Sequence, residues 1–178
     1  MQHCLLRHKN ALKDLDLYDI WDNLLDSGTA KTVFYDGSVN SHHEFKDYMR
    51  QDGNQMFAAY FNGKPAGVVW LNDIRRGNAR VHGAYFKETW GRKGEELPRS
   101  IMLGRHTMAT LLREFPFDVL YGTIPVWNRT AIKFSERCGA MPVGVVPHGA
   151  WMADRNESVD AMMLATTRES TEDAWTKY

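Results

Sequence analysis

Ala79-Arg80-Val81-His82-Gly83-Ala84-Tyr85-Phe86 and Phe117-Asp118-Val119-Leu120-Tyr121-Gly122-Thr123-Ile124 are the two stretches whose relation decides the fold. Each is short, rich in β-branched and aromatic residues and bounded by turn residues, so each reads as a strand. Between them, Pro98 suits the first turn of a helix. Ile101, Met108, Leu111, Leu112 and Phe115 then follow at helical spacing until Pro116 stops the run. A strand, a helix and a strand in that order make a crossover that lays the two strands parallel and adjacent.

Outward from this unit the pattern turns antiparallel. Met56 to Phe61 and Ala66 to Leu71 are apolar runs joined by Asn62-Gly63-Lys64-Pro65, a strong hairpin signal. The turn Arg75-Arg76-Gly77-Asn78 leads on to Ala79, so three strands form a meander. Further upstream, Leu5 and Leu6 end an opening strand. Asp14 to Asp26 spaces Leu15, Ile20, Trp21, Leu24 and Leu25 as a helix closed by Gly28. A more polar helix runs from Ser41 to Gln51 with Phe45, Tyr48 and Met49, and Asp52-Gly53-Asn54 breaks it. Downstream, Asn128 is a favoured N-cap for a helix from Arg129 to Cys138, closed by Gly139. Met141 to Trp151 and Val159 to Thr166 form a last pair of strands. The expected fold is α/β: a single mixed, mostly antiparallel sheet flanked by helices. One domain covers residues 1–166, followed by a polar tail, 167–178, whose one large apolar group is Trp175.

The chain has 178 residues, 43% hydrophobic and 25% charged, with a mean hydropathy of −0.48, values of an ordinary globular protein. Lys plus Arg (22) equals Asp plus Glu (22), which argues against nucleic-acid binding through bulk charge. No stretch approaches the ~18 apolar residues of a membrane span, and charge enters at Arg7, too early for a signal peptide. Cys4 and Cys138 are not in a CxxC spacing, so a reduced, cytoplasmic setting is expected and a zinc knuckle is excluded.

The element order, with the residues that sit in it, resembles the GNAT superfamily of coenzyme-A-dependent N-acyltransferases, in particular a branch that acetylates protein N-termini or small amines. The stretch that carries the resemblance runs from Ala79 to Gly139. Ala79 to Phe86 looks like the fourth strand of that fold. Trp90-Gly91-Arg92-Lys93-Gly94 takes the pyrophosphate-loop position, and Asn128 to Gly139 looks like the family's Asn-led helix ending in Gly. The resemblance implies acetyl-CoA as acyl donor and an amine as acceptor. It places Tyr85, Phe86, Gly91, Arg92, Lys93, Gly94, Arg99 and Asn128 at the cofactor. A loop leading into a helix offers free N–H groups and a positive dipole end to a pyrophosphate, and a strand edge left open where two strands diverge can pair with pantetheine amides. Two departures stand out. Arg92-Lys93-Gly94-Glu95-Glu96 lacks the usual Arg/Gln-x-x-Gly-x-Gly/Ala spacing, and Ser135 stands where many members carry a tyrosine general acid. They motivate an alternative: a non-catalytic, acetyltransferase-like interaction or assembly protein, for example phage-encoded, that binds a protein partner. A homo-oligomer is compatible with both readings.

For the acetyl-transfer reading, His82 and Glu88 are the candidate bases and Ser135 lies nearest the departing sulfur. His82 titrates near neutrality when unperturbed; as a half-buried strand residue it has an equally ordinary packing role. His82 and Tyr85 point to opposite faces of a regular strand. His42-His43 is no metal pair, because adjacent helical residues point about 100° apart, and no other ligand set has recognisable spacing. No metal is expected. No Gly-x-Ser-x-Gly supports a serine hydrolase. Arg75 to Arg80 reads as a solvated basic hairpin tip, and Trp127 as the tryptophan nearest a ligand.

Overall fold

The computed structural model describes residues 4–91 and 97–176. Seven strands, β1 (Cys4–His8), β2 (Gln55–Phe61), β3 (Lys64–Arg75), β4 (Gly77–Tyr85), β5 (Phe117–Pro125), β6 (Met141–Met152) and β7 (Glu157–Thr167), form one sheet in the order β1-β2-β3-β4-β5-β7-β6. All pairings are antiparallel except β4 with β5, which is parallel as the crossover requires. The helices are α1 (Asp14–Asp26), α2 (Ala30–Val33), α3 (His42–Arg50), α4 (Arg99–Glu114), α5 (Arg129–Arg137) and α6 (Arg168–Thr176).

The apolar runs of β2 and β3 are continuous because both faces of the sheet are covered. Met56, Ala58, Val68 and Trp70 point to one face, where they meet Leu17, Ile20, Trp21 and Leu24 of α1 and Phe45 and Met49 of α3. Phe57, Ala59, Val69 and Leu71 point to the other, against Leu103, Leu111 and Leu112 of α4. Val143 and Val145 of the edge strand β6 remain exposed.

The helix starts follow local chemistry. Ser41 Oγ accepts the Glu44 N–H at the start of α3, and Asn128 Oδ1 accepts the Ala131 N–H (3.1 Å) at the start of α5. Gly139, with φ +102°, ends α5 in a conformation that suits glycine. Two helices carry no apolar period. α2 is a single turn. In α6 the buried residues are Ser170, Thr171 and Ala174, and the Arg105 guanidinium of α4 lies 5.7 Å from the Trp175 ring.

Candidate active site

β4 and β5 pair only from Gly77/Phe117 to Arg80/Tyr121. Beyond that point β5 stays paired to β7 through Pro125, while β4 continues to Tyr85 paired only to β3. Gly122 stands where the strands part, and a Cβ there would lie 3.0 Å from the Val81 carbonyl oxygen. The Phe86 N–H bonds across to Ala66 O (2.9 Å). By strand alternation the N–H groups of Gly83 and Tyr85 therefore turn to the unpaired edge. Trp90 Nε1 donates to Tyr85 O at 2.8 Å and closes the end of that edge.

The parted strands open a cleft of about 800 Å³. One wall is β4 from Val81 to Tyr85, and another is β5 from Gly122 to Pro125. Ser100, Ile101 and Gly104 of α4 and Asn128, Phe134 and Ser135 of α5 line the far side. α4 and α5 approach closely at Gly104, where a Cβ would overlap Cys138 Sγ. Cys138 is buried, and burial pushes its thiol up to about 12, so it packs as a small apolar group. Lys133 and Arg137, four residues apart on α5, bring cationic side chains to the rim. No aspartate or glutamate occurs among the described residues that line the cleft. An open strand edge, the N-terminus of a 16-residue helix and basic side chains without carboxylates fit an extended, anionic thioester donor.

His82 enters the cleft from the face opposite Tyr85. Its ring stacks on Trp70 (4.9 Å between centroids, 6° between planes). Asn72 places Nδ2 toward Tyr48 Oη (3.4 Å) and Oδ1 against His82 Nε2 (3.0 Å). The neutral ring thus carries its proton on Nε2 and keeps a lone pair on Nδ1. Burial first, then the Arg80 guanidinium, push this imidazole down to about 4, against a weaker upward pull from Asp36. Tyr85 is buried, donates to Thr107 Oγ1 (2.9 Å) and packs on Phe134, and burial raises its phenol well above the usual range.

The other candidate residues are placed as follows. Gly91, Asn128 and Ser135 line the cleft. Phe86 is fully buried in the core on the α1–α3 face. The Arg99 guanidinium sits over the Phe61 ring at 5.6 Å and is absent from the cleft wall. Glu88 lies in a 3-10 turn (Lys87–Thr89), exposed and outside the cleft. Arg92, Lys93 and Gly94 lie outside the described residues. Trp127 is exposed beside Arg155 and does not reach the lining. Arg80 is not part of a solvated tip. It lies within β4, partly buried, and its Nη2 donates to Thr123 Oγ1 (2.7 Å). Strand parity already put it on the face of His82; Tyr35 and Thr123, which complete that end of the cleft, sit in no motif.

No protein-family model matches the chain, and no curated protein matches it in sequence. Solved structures do match in shape. A spermidine N-acetyltransferase from Vibrio cholerae in complex with CoA and spermine aligns at TM-score 0.71, with 15% identity over 95% of this chain and 98% of that one. RimL, a ribosomal L7/L12 alpha-N-protein acetyltransferase, aligns at 0.72 with 13% identity over 92% and 90%. An acetyltransferase of the GNAT family from Streptococcus pneumoniae aligns at 0.63 with 17% identity over 93% and 99%. The chain has the fold these proteins share.

Proposed function

We propose that this chain, which has the fold of the GNAT acetyltransferases, moves an acetyl group from acetyl-CoA to an amine. The observation that carries the reading is the open edge of β4 from Val81 to Tyr85, facing a cleft with no described carboxylate in its wall. The fold neighbours that act on spermidine and on a ribosomal protein are consistent with an amine acceptor.

The residues support a direct transfer. The N–H groups of Gly83 and Tyr85 hold the pantetheine arm and thioester along β4 and stabilise negative charge on the carbonyl oxygen. The first-turn N–H groups of α4, with Lys133 and Arg137, take the phosphates. Arg92 and Lys93 are proposed to add charge there. As the amine nitrogen attacks, the N–C bond forms and the C–S bond breaks. The nitrogen's surplus proton goes to a base, and the departing sulfur is protonated from the Ser135 side. Of the two candidate bases His82 lines the cleft and Glu88 does not, so the proton goes to His82 Nδ1. Because the buried ring stays neutral at neutral pH, its Nδ1 lone pair is available to receive that proton.

The test is release of CoA thiol from acetyl-CoA, followed with and without amines such as amino acids, peptides with free N-termini and polyamines. Amine-dependent release, with the acetylated amine detected by mass spectrometry, is the expected result. A preparation that binds no CoA and acetylates nothing contradicts the reading and leaves the protein-binding alternative.

A further inference from the structure

The acceptor end of the cleft lies on the face opposite α4, where Thr29, Thr32, Val33, Tyr35, His82 and Thr123 meet. A site for a polycation needs anions to replace the water around each ammonium, and the described wall has none. What stands behind it is a cation. Arg80 Nη2 donates to Thr123 Oγ1 (2.7 Å), while its Nε is buried without a partner. The Tyr35 phenol stands beside the same pair, and both the Arg80 charge and the Thr123 hydroxyl act to favour its ionised form against burial.

The nearest carboxylates are engaged elsewhere. Asp73 accepts from Tyr121 Oη (2.6 Å) and pairs with Arg75, and Asp36 is exposed and accepts from Ser38 N and Oγ. Among the described residues Arg80 has no ion-pair partner, so the charge of this partly buried guanidinium is uncompensated, and an anion held at Thr123 would compensate it. Arg80 and His82 are two residues apart on one face of β4, about 7 Å along the strand. That interval suits an α-amino acid whose amine reaches His82 while its carboxylate lies at Thr123, which lines the cleft in front of the Arg80 guanidinium.

We infer that the acceptor is an amine that also bears a carboxylate, an α-amino acid in the simplest case, selected by Arg80 acting with Thr123 and Tyr35. The inference rests on the acetyl-transfer reading and names its substrate class.

Leucine, methionine and phenylalanine are compared with their amides and with spermidine in the acetyl-transfer assay, after CoA binding by the same preparation has been measured by titration calorimetry. The amides carry the less basic amine, so intrinsic reactivity favours them at neutral pH. The expected result is the reverse: kcat/KM at least ten-fold higher for the free acids, with spermidine lowest. Arg80→Gln abolishes the preference mainly through KM, and Arg80→Lys keeps part of it. Should the Arg80 variants not fold, Thr123→Val weakens the same preference. Independently of turnover, N-acetylleucine binds the protein and N-acetylleucinamide does not, read by ligand-observed NMR. CoA binding together with amides or spermidine as the better acceptors, or with no turnover of the amino acids, overturns this inference and leaves cofactor binding standing. Absence of CoA binding removes the reading beneath it instead.

Discussion

His82 keeps a neutral imidazole because the fold surrounds it with Trp70, Asn72 and the Arg80 charge. In the unfolded chain the ring gains a proton near 6.5, whereas in the folded protein it does so only at about 4. Below 6.5 the unfolded state therefore binds the extra proton. The stability tied to this site is present above pH 6.5 and is lost as pH falls from 6.5 to about 4. Thermal melts over that range should show Tm falling, and His82→Gln should flatten the part of the slope due to this ring. ¹⁵N shifts should report a ring still neutral at pH 5; a ring that titrates near 6.5 contradicts its burial beside Arg80. In the transfer assay His82→Gln should lower kcat by roughly 10²–10⁴ while CoA binding is kept, a split that a packing role alone does not produce. His82 was legible as a candidate from its strand and residue type. Glu88 is the carboxylate that follows the same strand in sequence, but the 3-10 turn after Phe86 carries it out to solvent. In sequence Arg80 reads as one charge cluster with Arg75 and Arg76, although strand parity separates it from the exposed turn.

The element that shapes the cleft is the α4–α5 contact. Gly104 lets Cys138 Sγ and Phe134 approach α4, and Arg105 Nε donates to Arg137 O (2.9 Å) in the same contact. Gly104→Ala gains about 1 kcal/mol in helix propensity, but its Cβ overlaps Cys138 Sγ. Overpacking of this kind costs about 1–3 kcal/mol. Urea denaturation should show a net loss of stability for Gly104→Ala that Cys138→Ala largely restores, because removing the sulfur clears the overlap. A stabilised single variant contradicts the close approach. Elements with a strong apolar period, α1, α4 and the β2–β3 hairpin, were readable from the sequence. α6 was not, because its buried face is Ser170, Thr171 and Ala174, residues that carry no hydrophobic signal. α2, a single turn of four residues, is too short to show a period at all.

At the scale of the whole molecule, one parallel pairing inside an antiparallel sheet creates the site. β4 and β5 start together because the α4 crossover makes them neighbours, and they part because β5 stays bonded to β7. The parallel pair was legible from the strand–helix–strand order, and a divergence of these strands was expected from the resemblance. The point of parting was not, because it depends on Gly122 meeting the Val81 carbonyl and on the register of β7, both long-range facts. The central claim is that the open edge of β4 receives the CoA arm as an added strand. Amide hydrogen exchange of Val81 to Tyr85, resolved by NMR with and without saturating CoA, tests it most directly. The account predicts that CoA slows exchange at Gly83 and Tyr85, whose N–H groups face the cleft, and leaves Phe86, already bonded to Ala66, unchanged. Bound CoA with no change at Gly83 and Tyr85 would contradict it.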